Sequence, residues 1–269
     1  MNTVITHFYN EEYLLPWWIN HHKKLFDYGI MINHNSTDRS VEICKQMCPY
    51  NWKIVDTTLT EFKTEYLDCE VKFYESTVTG FKTVLTLTEF FMPPMSLDDL
   101  NARMIKEDKK YMRTIGVCMV DMFPDNLPTY DKPLFSQKHH GMISGYKHPL
   151  HRYDEDAFKT MYGRHYHNDR FGKYGPGRHW VWDEVDHAIF PEDVFILKYK
   201  YSPWNDTSIN RIMQFAPKIT MEDLEKGWCT PHMLVKEEHW SLYNYLRNTM
   251  YDLRDDSVFL NAYNYCMTL

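Results

Sequence analysis

No apolar run in the 269-residue chain approaches the roughly 20 residues needed to span a bilayer. The N-terminal Met-Asn-Thr-Val-Ile-Thr-His lacks the basic region and long apolar stretch of a secretory signal, so a cytoplasmic location is expected. Positive charge is also short: 30 Lys and Arg against 37 Asp and Glu give a formal net charge of −7, which disfavours a nucleic-acid partner because phosphate binding needs a basic face. With only 10 glycines, the chain has no Gly-rich phosphate loop and no dinucleotide fingerprint. Gly172, Gly175 and Gly177 follow no recognisable strand. There is no GxSxG elbow and no HExxH, which argues against a serine hydrolase and a zinc hydrolase. The six cysteines lack metal-framework spacing; Cys44 and Cys48, four apart on an expected helix, read as free thiols. Neither internal repeat nor low-complexity linker is present.

What the chain does have is aromatic residues and an alternating strand–helix order. Aromatics make up 16%, including eight Trp and twenty Tyr. They serve either as core filling or as the lining of a ligand groove. The first forty residues read as a strand at Val4-Ile5, a polar turn at Asn10-Glu11-Glu12, a helix through Leu14, Trp17, Trp18, Ile19 and Leu25, and a strand at Ile30-Met31-Ile32. The loop Asn35-Ser36-Thr37-Asp38-Arg39-Ser40 then opens a helix to Met47, with Ser36 or Asp38 as its cap. This is the start of a parallel α/β sheet, whose ligands bind beyond the carboxyl ends of the strands. Thr6–Glu12 and Asn33–Asp38 therefore predict a small-molecule site.

Further along, Trp52–Val55 reads as a third strand, Thr64–Thr79 as a helix stopped by Gly80, and Phe81–Phe91 as one strong strand with Glu89 near its end. Glu89 is expected to point into the same crevice, where a carboxylate can hold a divalent cation. Leu97–Met112 reads as helix and Thr114–Met122 as strand, with Asp121 at its tip. Regularity fades from Pro124 to Pro191, the acceptor-side region. Within it, His179 is the histidine expected to complete a metal or diphosphate site. Val194–Tyr201 is a last strand. Trp240, Tyr243, Leu246, Met250 and Leu253 mark an amphipathic helix that either packs internally or makes a homo-oligomer contact.

Ile5-Thr6-His7-Phe8-Tyr9-Asn10-Glu11-Glu12 and Ile32-Asn33-His34-Asn35-Ser36-Thr37-Asp38 resemble the opening of family 2 glycosyltransferases of the GT-A fold. Trp17-Trp18 with His21-His22, Thr88-Glu89-Phe90, Gly177-Arg178-His179 and Tyr201–Asn205 resemble more narrowly the glycosyltransferase domains of large DNA viruses, the chlorovirus type. The resemblance implies a GT-A-like, mostly parallel central sheet flanked by helices, with a helical C-terminal extension. The expected division is a glycosyltransferase domain over 1–208 (donor half 1–123, acceptor half 124–208) and an extension over 209–269.

The function implied is transfer of a hexosyl or deoxyhexosyl unit from a UDP- or GDP-linked donor to a glycan or glycoprotein hydroxyl. Inversion and assistance by Mn2+ or Mg2+ are implied with it, in a host cytoplasm if the chain is viral. Carried over by position, the donor residues are Thr6, His7, Phe8, Asn10, Glu11, Asn33, His34, Asn35, Ser36, Asp38, Lys82 and Thr88. Asn33 and His34 replace the usual acidic pair. Glu89 and His179 are the metal candidates, with Thr in place of the first acid of the metal motif. Glu184, Asp183 and Asp121, in that order, are candidates for the base that deprotonates the acceptor. Trp180, Trp182 and Trp204 are candidate sugar platforms. The alternative is a GT-A-fold carbohydrate-binding protein that has lost catalysis.

Overall fold

The computed structural model describes residues 1–143, 163–172, 175–178, 188–189 and 191–269. The chain opens as β1 (Asn2–Phe8), α1 (Leu15–His22), β2 (Tyr28–Asn33), α2 (Ser40–Met47), β3 (Lys53–Asp56), α3 (Thr64–Ser76) and β4 (Phe81–Thr86). It continues through β5 (Glu89–Met92), α4 (Leu97–Lys106), β6 (Tyr111–Arg113), β7 (Ile115–Val120), α5 (Leu134–Gln137), β8 (His140–Met142), β9 (His165–His167) and β10 (Ala188–Ile189). It closes with β11 (Phe195–Tyr201), α6 (Asp206–Met213), α7 (Met221–Glu225), α8 (Lys236–Arg247), β12 (Tyr251–Asp252) and α9 (Ser257–Thr268).

The first sheet has the order β10-β6-β9-β4-β1-β2-β3. Strands β4, β1, β2 and β3 are mutually parallel, and β9 runs antiparallel between β4 and β6. The result is the mostly parallel, helix-flanked sheet that the alternating pattern implies. Both faces are covered, so β1 and β2 are buried along almost their whole length and read as apolar runs without alternation. Gly29 in β2 is required by packing: a Cβ there would lie 2.3 Å from the Trp52 ring. The second sheet has the order β12-β8-β7-β11-β5, with β11 parallel to β7 and antiparallel to β5. Among the described residues, no helix is long and apolar enough to cross a membrane.

Several boundaries differ from the sequence reading. Phe81–Phe91 is two strands in two sheets. The chain leaves the first sheet after Thr86 and re-enters the second at Glu89, paired with Lys198. Apolar content runs through both strands, so it carries no sign of the turn. The helix from Leu97 ends at Lys106, because Asp108 takes a left-handed backbone (φ 51°) and Tyr111–Arg113 then pairs with β9. Gly80 immediately precedes β4 and lies four residues past the end of α3. The apolar stripe of α8 packs inward: Tyr243 stacks on Trp204 with centroids 4.6 Å apart, and Leu242 and Leu246 are buried beside Ile209. Trp204 is 1% exposed and offers no sugar platform. All six cysteines are free thiols.

Candidate functional site

Parallel strands β1, β2 and β3 end together, and their loops are tied to one another by side chains. Asn10 takes a left-handed backbone (φ 49°), which Asn tolerates better than most residues. That turn aims its side-chain oxygen at the β2–α2 loop, where it accepts from Thr37 N at 2.7 Å and Asp38 N at 3.3 Å. In return, Ser36 Oγ accepts from Asn10 N at 3.1 Å, Ser40 Oγ from Glu11 N at 2.8 Å and an Asp38 oxygen from Glu12 N at 3.0 Å. Asp38 also accepts from Ser40 N, the first residue of α2, at 2.9 Å; the N-cap position itself is Arg39, whose side chain makes no capping bond. Asn33 holds its own loop: Oδ1 accepts from Ser36 N, and Nδ2 donates to Asp56 at 2.7 Å. Asn35 donates to Leu59 O.

The outer wall of this region is aromatic. His34 is buried, and its ring lies 4.1 Å from the Phe62 ring; neither of its nitrogens has a hydrogen-bond partner. Burial lowers its pKa to about 4, with His7 and Lys218 adding to the effect, so His34 is neutral at physiological pH. Tyr9 packs between Phe62 and Phe215, and Lys218 Nζ sits 4.1 Å over its ring. His7 Nε2 lies 2.7 Å from Glu70 Oε2, and Glu70 also accepts from Thr57 Oγ1. Beside them Arg178 donates to Asp68 at 2.8 Å, and Asp68 accepts from Gly177 N.

Glu89 forms the floor, and nothing in its side chain faces solvent. Arg164 grips it with two donors, Nε to Oε2 at 2.8 Å and Nη2 to Oε1 at 2.7 Å. Lys198 Nζ donates to Oε1 at 2.6 Å and Thr86 N to Oε2 at 2.8 Å. Burial would raise the pKa of such a carboxyl, but the charges of Arg164 and then Lys198 outweigh it and hold Glu89 far below the usual carboxylate range. Trp18 of α1 donates to the Glu89 carbonyl at 2.9 Å, which accounts for one of the two adjacent tryptophans. Glu11 is likewise 4% exposed and paired with Arg211 of α6 at 3.1 Å.

Thus Asn10, Glu11, Asn33, His34, Asn35, Ser36 and Asp38 are gathered at one edge. His7 and Thr88 lie beside the Glu89 cluster, with Thr88 Oγ1 2.9 Å from Thr86 Oγ1. Thr6 and Phe8 are buried within β1, Phe8 in the main apolar core. Lys82 is not brought to this edge. It lies near the opposite end of β4, where its ammonium donates to the carbonyls of Val78 and Asp169 at 3.1 and 2.8 Å. The base role expected of Asp121 does not fit its surroundings either: it is 2% exposed, ion-paired to Lys138 at 2.7 Å, and accepts from Trp204 N at 3.0 Å. Asp183, Glu184, His179, Trp180 and Trp182 lie outside the described residues.

The metal role expected of Glu89 does not fit the described geometry. Both oxygens are occupied by cationic donors, and a dication placed among them would be repelled. Among the described residues, the group with metal-ligand spacing is His139, His140 and Asp252, where β8 meets β12 in the second sheet. There, Arg254 already holds both Asp252 oxygens. Sequence reading missed Arg164, Lys198, Arg211, Glu70 and the Asp68–Arg178 pair. One signal was available: Lys198 and Lys200 alternate with Tyr inside the apolar strand Phe195–Tyr201, and lysines in a strand that buried need partners.

No protein-family model matches the chain, and no curated protein matches it. Similar solved structures include glucosyl-3-phosphoglycerate synthase from Mycobacterium tuberculosis in complex with Mn2+, uridine diphosphate and glucosyl-3-phosphoglycerate. That similarity has 15% identity and a TM-score of 0.33, and covers 43% of this chain and 44% of that one, so the chain spans under half the length of the synthase. A mannosyltransferase from Pyrobaculum calidifontis in complex with GDP-Man and Mn2+ has 13% identity and a TM-score of 0.40, over 99% of this chain and 74% of that one. A cytidylyltransferase from Leptospira borgpetersenii has 12% identity and a TM-score of 0.26, over 42% and 52%.

Proposed function

We propose that the chain is a glycosyltransferase that moves a sugar from a nucleotide-sugar donor to a hydroxyl acceptor. The observation that carries this reading is the gathering of Asn10, Asn33, His34 and Asp38 at the carboxyl edge of a parallel sheet. These are the residues whose pattern resembles family 2 enzymes, and they lie at the edge where such sheets bind ligands. The donor's nucleoside lies against the β1 and β2 loops, and its diphosphate turns toward the cations around Glu89. Loss of a nucleoside diphosphate concentrates negative charge on the leaving phosphate. Preorganised cations stabilise that charge most when water is excluded. Arg164, Lys198 and Arg178 lie in that neighbourhood, fixed by Glu89 and Asp68. In this reading Glu89 orients the cations and does not bind a metal. No step is assigned to Mn2+ or Mg2+. Asp183 or Glu184 takes the acceptor proton, in keeping with their place after the Glu89 segment in the chain.

The test is nucleotide release from UDP- and GDP-sugars by the purified protein, with and without hydroxyl acceptors, in EDTA and in Mn2+. Release that requires acceptor and falls in Asp183→Asn or Glu184→Gln supports the reading. A protein that binds nucleotide-sugar and releases no nucleotide is the carbohydrate-binding alternative.

A further inference from the structure

Strand β11 carries a second lysine beyond the one on Glu89. Lys200 is two residues after Lys198, within the stretch where β11 shifts register against β7 between Lys198 and Tyr201. It is half-buried, with its ammonium 5.4 Å over the Tyr201 ring. Among the described residues its electrostatic neighbours are Lys198, the Cys118 thiol and Arg211, none of them a carboxylate.

Buried donors and acceptors without partners surround it. His239 of α8 is 0% exposed, neither ring nitrogen has a partner, and its ring lies 6.4 Å from that of Tyr201. His232 packs on Phe215 at 5.7 Å with Nδ1 unpartnered. Arg211 spends one amine on Glu11 and leaves Nε unpartnered. A buried polar group left without a partner is destabilising, so most buried polar groups are hydrogen-bonded. The atoms on His239, His232 and Arg211 lie near an ammonium that has no carboxylate neighbour among the described residues. Burial, and then the charge of Lys200, lowers His232 to about 3 and His239 to about 4. Burial, and then Lys198, lowers Lys200 to about 8. Each shift is one that a bound anion would relieve.

We infer that Lys200, Arg211, His232 and His239 form an oxyanion subsite between β11, α6 and α8 that takes a phosphate group. The existence of the subsite is independent of the transferase reading. Its assignment to a substrate of the reaction rests on that reading, in which the phosphate belongs either to the donor's diphosphate or to a phosphorylated acceptor.

The full chain is titrated with inorganic phosphate and with pyrophosphate against sodium chloride of equal ionic strength, by thermal melting and calorimetry. Both anions are expected to raise the melting temperature of the wild type. Lys200→Met should weaken their binding about tenfold or more, the size of a lost charge-assisted contact, while Lys45→Met on exposed α2 should leave it unchanged. Absence of binding by the wild type, or equal binding by Lys200→Met, overturns the subsite. The wild-type protein gives an independent reading should Lys200→Met fail to fold: the imidazole NMR signals of His232 and His239 should move on adding phosphate, and unmoved signals overturn the inference. UDP and GDP then identify the source. Weakening in step with phosphate in Lys200→Met places the donor diphosphate in the subsite, whereas unchanged nucleotide binding places the acceptor's phosphate there. Failure of the transferase reading would appear separately, as absent nucleotide release with phosphate binding intact.

Discussion

Replacing Glu89 by Gln keeps the side-chain shape and removes the charge that Arg164 and Lys198 share. Arg164's side chain is 3% exposed and Lys198's 15%, so solvent cannot take over the role of the lost carboxylate. Removing one partner of a buried ion pair costs about 3–5 kcal/mol, because the other charge remains desolvated and uncompensated. For a chain of this size 1 kcal/mol corresponds to about 2–4 °C in melting temperature, so Glu89→Gln should melt roughly 10 °C below wild type at pH 7.5. The sign with pH follows from the depressed carboxyl: its stabilisation is full above the unfolded value near 4.5 and is lost as pH falls through the folded value. The gap between wild type and Glu89→Gln should therefore stay constant from pH 8 to 6 and narrow only in strong acid. Calorimetric melts of both proteins across that range, without divalent metal, are the assay. A difference under about 2 °C at pH 7.5 would refute the clamp and return Glu89 to the set of candidate metal ligands.

Three further outcomes are expected. Asn10→Gly should lose the bonds to Thr37 and Asp38 while keeping the left-handed turn, and Asn10→Ala should lose about 1 kcal/mol more from backbone strain; urea denaturation reads both, and equal stability of the two would contradict the strain argument. Burial lowers His21 to about 4, so its neutral form contributes stability above its unfolded value of 6.5, and that contribution is lost as pH falls toward 4. By pH 5 the loss should be about 2 kcal/mol from this residue alone, and His21→Gln should flatten the pH profile of stability between 6.5 and 5. Asp121→Asn should destabilise by about 3 kcal/mol through stranded Lys138 yet leave transfer per folded molecule unchanged; a folded but inactive variant would restore Asp121 as the base.

The opening of the fold was legible because its strands are buried on both faces and its turns carry side chains with local tasks. Val4-Ile5 and Ile30–Ile32 can only be interior strands, and Asn10 and Asp38 each bond to a loop fewer than thirty residues away. The floor of the site was not legible. Glu89 meets Arg164 and Lys198 across 75 and 109 residues of chain, and neither residue belongs to a motif. The break between β4 and β5 was hidden for a related reason. Leu85, Leu87, Phe90 and Phe91 are all core residues, so apolar content continues while the chain changes sheets. Lys82, named a donor residue by position alone, instead ties together carbonyls at the other end of β4.

Glu89 stands where the two sheets are joined, which determines how its variants must be interpreted. Its side chain bonds Thr86 at the end of the first sheet, Lys198 within the second, and Arg164 where the chain enters β9, while its carbonyl receives Trp18 of α1. A carboxylate with those four attachments is needed for the edge to exist, whatever chemistry takes place there. Loss of transfer in Glu89→Ala would therefore follow equally from a clamp and from a metal ligand. In activity measurements the two roles separate in a quantity that folding does not move: the dependence of the wild-type rate on Mn2+ concentration at fixed donor. A clamp of two cations predicts a rate that EDTA leaves intact. A Glu89-bound metal predicts a rate that EDTA abolishes and Mn2+ restores, and that result would require Arg164 and Lys198 to release the carboxylate during turnover.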